Sequence, residues 1–167
     1  MSCSESEAFG QVASVVDVGS NTVKLLVASL NSIGGIQVLH ENTVPTRIGT
    51  GIGSKFPVLS EHAMLAAEEA VVDLLHEASR FAPHLISLVA TGAVRAASNG
   101  QKFADRIKNT TEHDLLVLSG DDEAEGIAAG LATDPGIAVQ PDFLACDLGG
   151  GSLELIAVEG RKVSAKT

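Results

Sequence analysis

Tryptophan and tyrosine are missing from the 167 residues, and five phenylalanines are the only aromatics. Binding of single-stranded nucleic acid leans on aromatic platforms for base stacking, so the sequence argues against that class of partner. Basic residues are also few: 11 Lys and Arg stand against 21 Asp and Glu, a net charge of −10. Such a surface repels nucleic acid and anionic membrane alike. It also makes a polyanionic substrate awkward unless metal ions or further protein supply positive charge. The two cysteines are Cys3, in a polar leader, and Cys146, inside an apolar run. They make no disulfide framework and point to a reducing compartment. No run reaches the roughly 18 apolar residues of a membrane span. The opening "MSCSESEAFGQ" has neither the basic start nor the apolar stretch of a signal peptide. A cytoplasmic protein is expected.

What is present is a globular composition whose core must be built from Val, Leu, Ile and Ala. After a flexible leader over 1–11, "VASVVDVG", "TVKLLVASL" and "IQVLHENTVPTRIG" read as three strands of an antiparallel meander. Ser60 is placed to cap a helix with a stripe of Ala63, Ala67, Val71, Leu74, Ala78 and Phe81, which Pro83 stops. A buried strand "HLISLVAT" leads to a short helix near Val94–Ala97 and a polar helix near Gln101–Asn109. "LLVLSG" is another strand, and "DDEAEGIAAGLAT" a helix with acids crowded into its first turn. Three strands followed by β-α-β-α alternation indicate an α/β fold, a mixed five-stranded sheet with helices on its faces, over 12–133. From 134 onward, "DPGIAVQPD" reads as a loop or linker, and "FLACDLG", "SLELIAVEG" and "RKVSAKT" as the opening strands of a second, similar lobe. A fragment of a longer protein is expected.

One device occurs twice. At an offset of 130 residues (147 less 17), "VVDVGSNTVKLLVAS" overlies "ACDLGGGSLELIAVE". Asp17 meets Asp147, Gly19 meets Gly149, Thr22 meets Ser152, and Lys24 meets Glu154. Each copy is a strand, an acid, a bend of small residues, a hydroxyl residue and a second strand. Bends of this composition turn backbone N–H groups into a concavity that suits phosphate oxygens. Gly19, Ser20, Asn21 and Thr22 in the first bend, with Gly149, Gly150, Gly151 and Ser152 in the second, are therefore the candidate phosphate ligands. Asp17 and Asp147 could hold a hydrated Mg²⁺. Lys24 reads as a plain strand-surface residue. "GTGIG" lacks the helix a dinucleotide fingerprint requires, and the five His show no metal spacing.

The pair "DVGSNT" and "DLGGGSLEL" resembles the phosphate-1 and phosphate-2 motifs of the actin, Hsp70 and sugar-kinase superfamily. With "TRIGTGI", "ATGAVRAASNG" and "LSGDDEAEGIAAGL" between them, in that order, the chain closely resembles the exopolyphosphatase/guanosine pentaphosphate phosphatase family from about Ser14 onward. The resemblance implies an actin-like, ribonuclease H-like lobe, followed by the first strands of a second lobe, with the active site in the cleft between lobes. It implies that Glu123 is the catalytic base, although Asp122 stands where the family more often has Glu. It implies that Arg95 touches substrate phosphate and that Glu154 joins Asp17 and Asp147 near Mg²⁺ or another divalent metal. By spacing alone, Glu123 could only complement a helix dipole, and Glu154 could be the wet face of a strand. Inorganic polyphosphate or guanosine pentaphosphate is the implied substrate, and a homodimer is expected of the full-length protein. An ATP-using kinase or ATPase of the same superfamily, or a non-catalytic nucleotide-sensing lobe, stays open on these residues. Weak or no turnover is expected from one lobe alone.

Overall fold

A computed structural model of the chain describes residues 10–30, 35–53, 55, 57–150 and 153–166. Strands β1 (Val12–Val18), β2 (Thr22–Leu30) and β3 (Ile36–Pro45) form the expected antiparallel meander. Helix α1 (Glu61–Ser79) follows, then β4 (Leu85–Ala90), α2 (Gly92–Ala96), α3 (Gly100–Thr111) and β5 (Leu115–Val117). The sheet order is β3-β2-β1-β4-β5, with β4 parallel to both β1 and β5. Parallel pairing needs a crossover, and the helices supply it. Helix α4 (Gly120–Leu131), α5 (Pro135–Ala138) and strands β6 (Phe143–Leu148), β7 (Leu153–Glu159) and β8 (Lys162–Lys166) complete the chain. The last three strands make a separate antiparallel sheet. Among the described residues no helix is long and apolar enough to cross a membrane.

Residue type explains the main core. Alternate residues of β1 and β2 (Val16, Val18, Val23, Leu25, Val27) point to one face, as a strand's period of two requires, and are fully buried. Helix α1 covers that face with Ala67, Ala70, Val71, Leu74 and Ala78. Small residues on the stripe let the helix sit close to β-branched strands. Ser60 caps it by accepting from the Ala63 N–H at 3.2 Å. The helix is shorter than the apolar stripe suggests. It ends at Ser79, Ala82 takes a left-handed φ of 43°, and Phe81 lies outside the helix, half-buried and stacked on His40. The stretch "DPGIAVQPD" also differs from a plain loop. Asp134 accepts from the Gly136 N–H, and Pro135 sits at the first position of a single helical turn.

A second, smaller core joins Ala124 and Ala128 of α4 to Ile156 and Val158 of β7. That helix therefore packs on the second sheet, not the first. The repeat is visible in the strand register: Asp17 faces Lys24 across β1–β2, and Asp147 faces Glu154 across β6–β7. The two hairpins differ in how they are clothed. Val18 and Val23 are 1% and 0% exposed beneath α1, whereas their counterparts Leu148 and Leu153 are 78% and 51% exposed.

Candidate active site

The first bend is made by Gly19–Thr22, closed by the Gly19 N–H donating to the Thr22 carbonyl at 3.0 Å. The loop after β3 buttresses it. Thr46 and Arg47 N–H groups both donate to the Asn21 carbonyl, and the Gly49 N–H donates to the Ser20 carbonyl at 2.8 Å. Arg47 takes a left-handed φ of 52° to do so, a conformation that costs a non-glycine residue energy and survives only where the surroundings impose it. The "TRIGTGI" block is thus the floor under the bend. A Cβ on Gly49 would lie 2.9 Å from the Ser20 Cβ, so glycine is needed for that approach.

The two bends converge. Asp17, Gly19, Ser20, Asn21 and Thr22 line one wall of a cleft of about 330 Å³, and Asp147, Gly149, Gly150 and Glu154 line another. The Asn21 side chain occupies the space that a Cβ on Gly150 would need. Glu123 and Thr91 complete the lining. So does Lys24, which is no bystander on a strand surface. It shares a face with Asp17 because the two are cross-strand partners, and that face looks into the cleft. Gly151 and Ser152 lie outside the described residues.

Electrostatics mark the cleft as a place that wants positive charge. Burial pushes the Asp17 carboxyl above its usual range, Lys24 pulls it back, and Glu123 and Asp147 push it up again. Carboxylates from β1, α4 and β6 thus feel one another across the cleft. Oδ1 of Asp17 and Oε2 of Glu154 are buried without a hydrogen-bond partner, a costly state for a carboxylate oxygen. Among the described residues, no three His, Cys, Asp or Glu side chains gather closely enough to hold a metal by themselves.

Glu123 is set by α4. Ser119 and Asp122 form a reciprocal capping box at its start, which commits Asp122 to the cap. Glu123 follows on the first turn and pairs with Arg95 at 2.7 Å. Arg95 does not line the cleft. It faces a neighbouring hollow of about 530 Å³ that shares Ser20 and Gly150 with it.

A family model for the Ppx/GppA phosphatase family matches residues 26–167. The chain belongs to the Ppx/GppA phosphatase family. One relative in it, a guanosine-5'-triphosphate,3'-diphosphate pyrophosphatase of Pseudoalteromonas translucida, is 30% identical over 145 residues, 87% of this chain and 28% of that one. A solved exopolyphosphatase of Cytophaga hutchinsonii is 27% identical with a TM-score of 0.79, covering 94% of this chain and 49% of its own. The solved Aquifex aeolicus Ppx/GppA family member, at 23% identity and a TM-score of 0.79, shares the fold. The chain therefore spans about a third or less of the curated Ppx/GppA relative and about half of the solved structures it matches. The chain shares with these neighbours its α/β architecture of five mixed strands followed by a second meander.

Proposed function

We propose that this chain carries the phosphate-gripping bends and the general base of a phosphoanhydride hydrolase that releases terminal orthophosphate from inorganic polyphosphate or guanosine pentaphosphate. The convergence of Gly19–Thr22 and Gly149–Gly150 on one cleft with Glu123 is the observation that carries this reading. Backbone N–H groups of both bends would orient the terminal phosphoryl group, and Glu123 would take a proton from the attacking water. General-base assistance of this kind contributes roughly 10² to 10⁴ in rate, and positioning and charge stabilisation supply most of the rest in phosphoryl transfer. The names of the relatives above support both substrates.

The acidic lining fits Mg²⁺ in its usual mode. That ion takes one or two carboxylates and fills its shell with water and phosphate oxygens, so it needs no closed protein cage. Asp17, Asp147 and Glu154 are the residues that would hold it, and the buried unpartnered oxygens of Asp17 and Glu154 suit a hard cation. When bound, it would neutralise the phosphoryl oxygens that four cleft carboxylates would otherwise repel.

The test is orthophosphate release by the complete gene product from polyphosphate and from guanosine pentaphosphate, with Mg²⁺ present. Release from either, lost in Glu123→Gln with the circular dichroism unchanged, is expected. Undiminished release in Glu123→Gln, or turnover of ATP alone, would overturn the reading.

A further inference from the structure

We infer that Arg95 is a positioning residue that holds the Glu123 carboxylate in place for proton abstraction, and that it does not bind substrate phosphate. This rests on Glu123 being the base. One guanidinium nitrogen, Nη1, donates both to the Leu118 carbonyl at 2.9 Å and to Oε2 of Glu123 at 2.7 Å. The Leu118 carbonyl lies just past the end of β5, and its own N–H is tied to Ala90 at the end of β4. Arg95 thus fixes the carboxylate against the ends of two core strands. Oε1 of Glu123 takes no hydrogen bond from the described residues, which leaves that oxygen to accept a proton from water. Exposure separates the two roles: the Glu123 side chain is 12% exposed on the cleft wall, while Arg95, 31% exposed, looks into the adjoining hollow.

A carboxylate so enclosed is costly without its counterion, and untethered it would sample other rotamers. Displacement of a reacting group by about 1 Å costs around 10²-fold in rate. A phosphate ligand would act differently, chiefly on substrate affinity.

The experiment is steady-state orthophosphate release by the complete gene product, with tripolyphosphate affinity measured by calorimetry, for Arg95→Ala, Arg95→Lys, Glu123→Gln and the Arg95→Ala/Glu123→Gln double variant. Arg95→Ala should lower kcat about 10²-fold with KM and tripolyphosphate affinity within about twofold, and add no further loss in the Glu123→Gln background. Arg95→Lys should recover part of kcat, since an ammonium keeps the charge but lacks the planar, preorganised donor geometry of the guanidinium. Should Arg95→Ala fail to fold, Arg95→Lys carries the same division between kcat and KM. A raised KM with weakened tripolyphosphate binding, or an unchanged kcat, overturns the inference and leaves the base intact. Full activity in Glu123→Gln removes the base first, and the inference with it.

Discussion

Asn21 and Gly150 touch across the cleft with no room left for a methyl group between them. One comes from the first bend and the other from its repeat, so the two hairpins are fitted to each other at the point where a phosphate would enter. Gly150→Ala should displace the Asn21 side chain, a flexible end that yields cheaply. Stability should change by less than about 0.5 kcal/mol, a melting shift of about 2 °C at most. Tripolyphosphate affinity should fall about tenfold, or about 1.4 kcal/mol. Calorimetry on the two forms checks this, and equal affinities would show that the contact does not shape the grip.

The Asp17 carboxyl works against the fold. Burial lifts its folded pKa above the unfolded value, so the folded state binds its proton more tightly. Its contribution to stability is therefore greatest below about pH 3.9 and is lost as pH rises through the raised value. At neutral pH Asp17→Asn should stabilise the protein by on the order of 1 kcal/mol, and the gain should shrink toward acid. The same variant should lose orthophosphate release. Urea unfolding at neutral and acid pH measures the first part. A less stable Asn variant at neutral pH would contradict it.

Ser119 holds the first turn of α4 and, through it, the approach of Glu123. Ser119→Ala removes the hydroxyl half of the capping box, leaving the backbone N–H of residue 119 to donate to Asp122. It should cost about 1 kcal/mol, with a fall in turnover beyond that expected from stability alone. Ser119→Asp or Ser119→Thr should restore most of each. Equal turnover in Ser119→Ala would mean that Glu123 is placed without its cap.

Glycine means different things at two helical positions. A Cβ on Gly100 would run into the backbone carbonyl of Val94, where α2 hands over to α3, while Gly126 in α4 has open space around it. Gly100→Ala should destabilise by about 1–3 kcal/mol, and Gly126→Ala should stabilise by about 0.5–1 kcal/mol. Denaturant midpoints of the two variants should move in opposite directions.

The sequence alone disclosed the sheet and the two bends because both depend on local signals. Alternating Val and Leu set the strands, and the acid, small residues and hydroxyl set the bends, so the offset between Asp17 and Asp147 carried straight into the register of both hairpins. Lys24 was legible in principle. Once a four-residue bend closes at Gly19 and Thr22, parity puts Asp17 and Lys24 on one face, and only the identity of that face was missing. The pairing of Arg95 was not legible. Its partner Glu123 lies 28 residues away on another element, and no local pattern states which of two hollows a long side chain will enter. Phe81 carried the periodicity of α1 but not its helix, since the chain must turn before Pro83.

Among the described residues the outer side of β6 and β7 is apolar and uncovered, in a chain of strong net negative charge. Leu144, Leu148 and Leu153 stand there in water while the matching first-hairpin positions are sealed. Contiguous apolar area of this kind drives adhesion that net charge alone does not prevent. Such a side is fitted to be covered by further packing, as α1 covers its counterpart on the first hairpin.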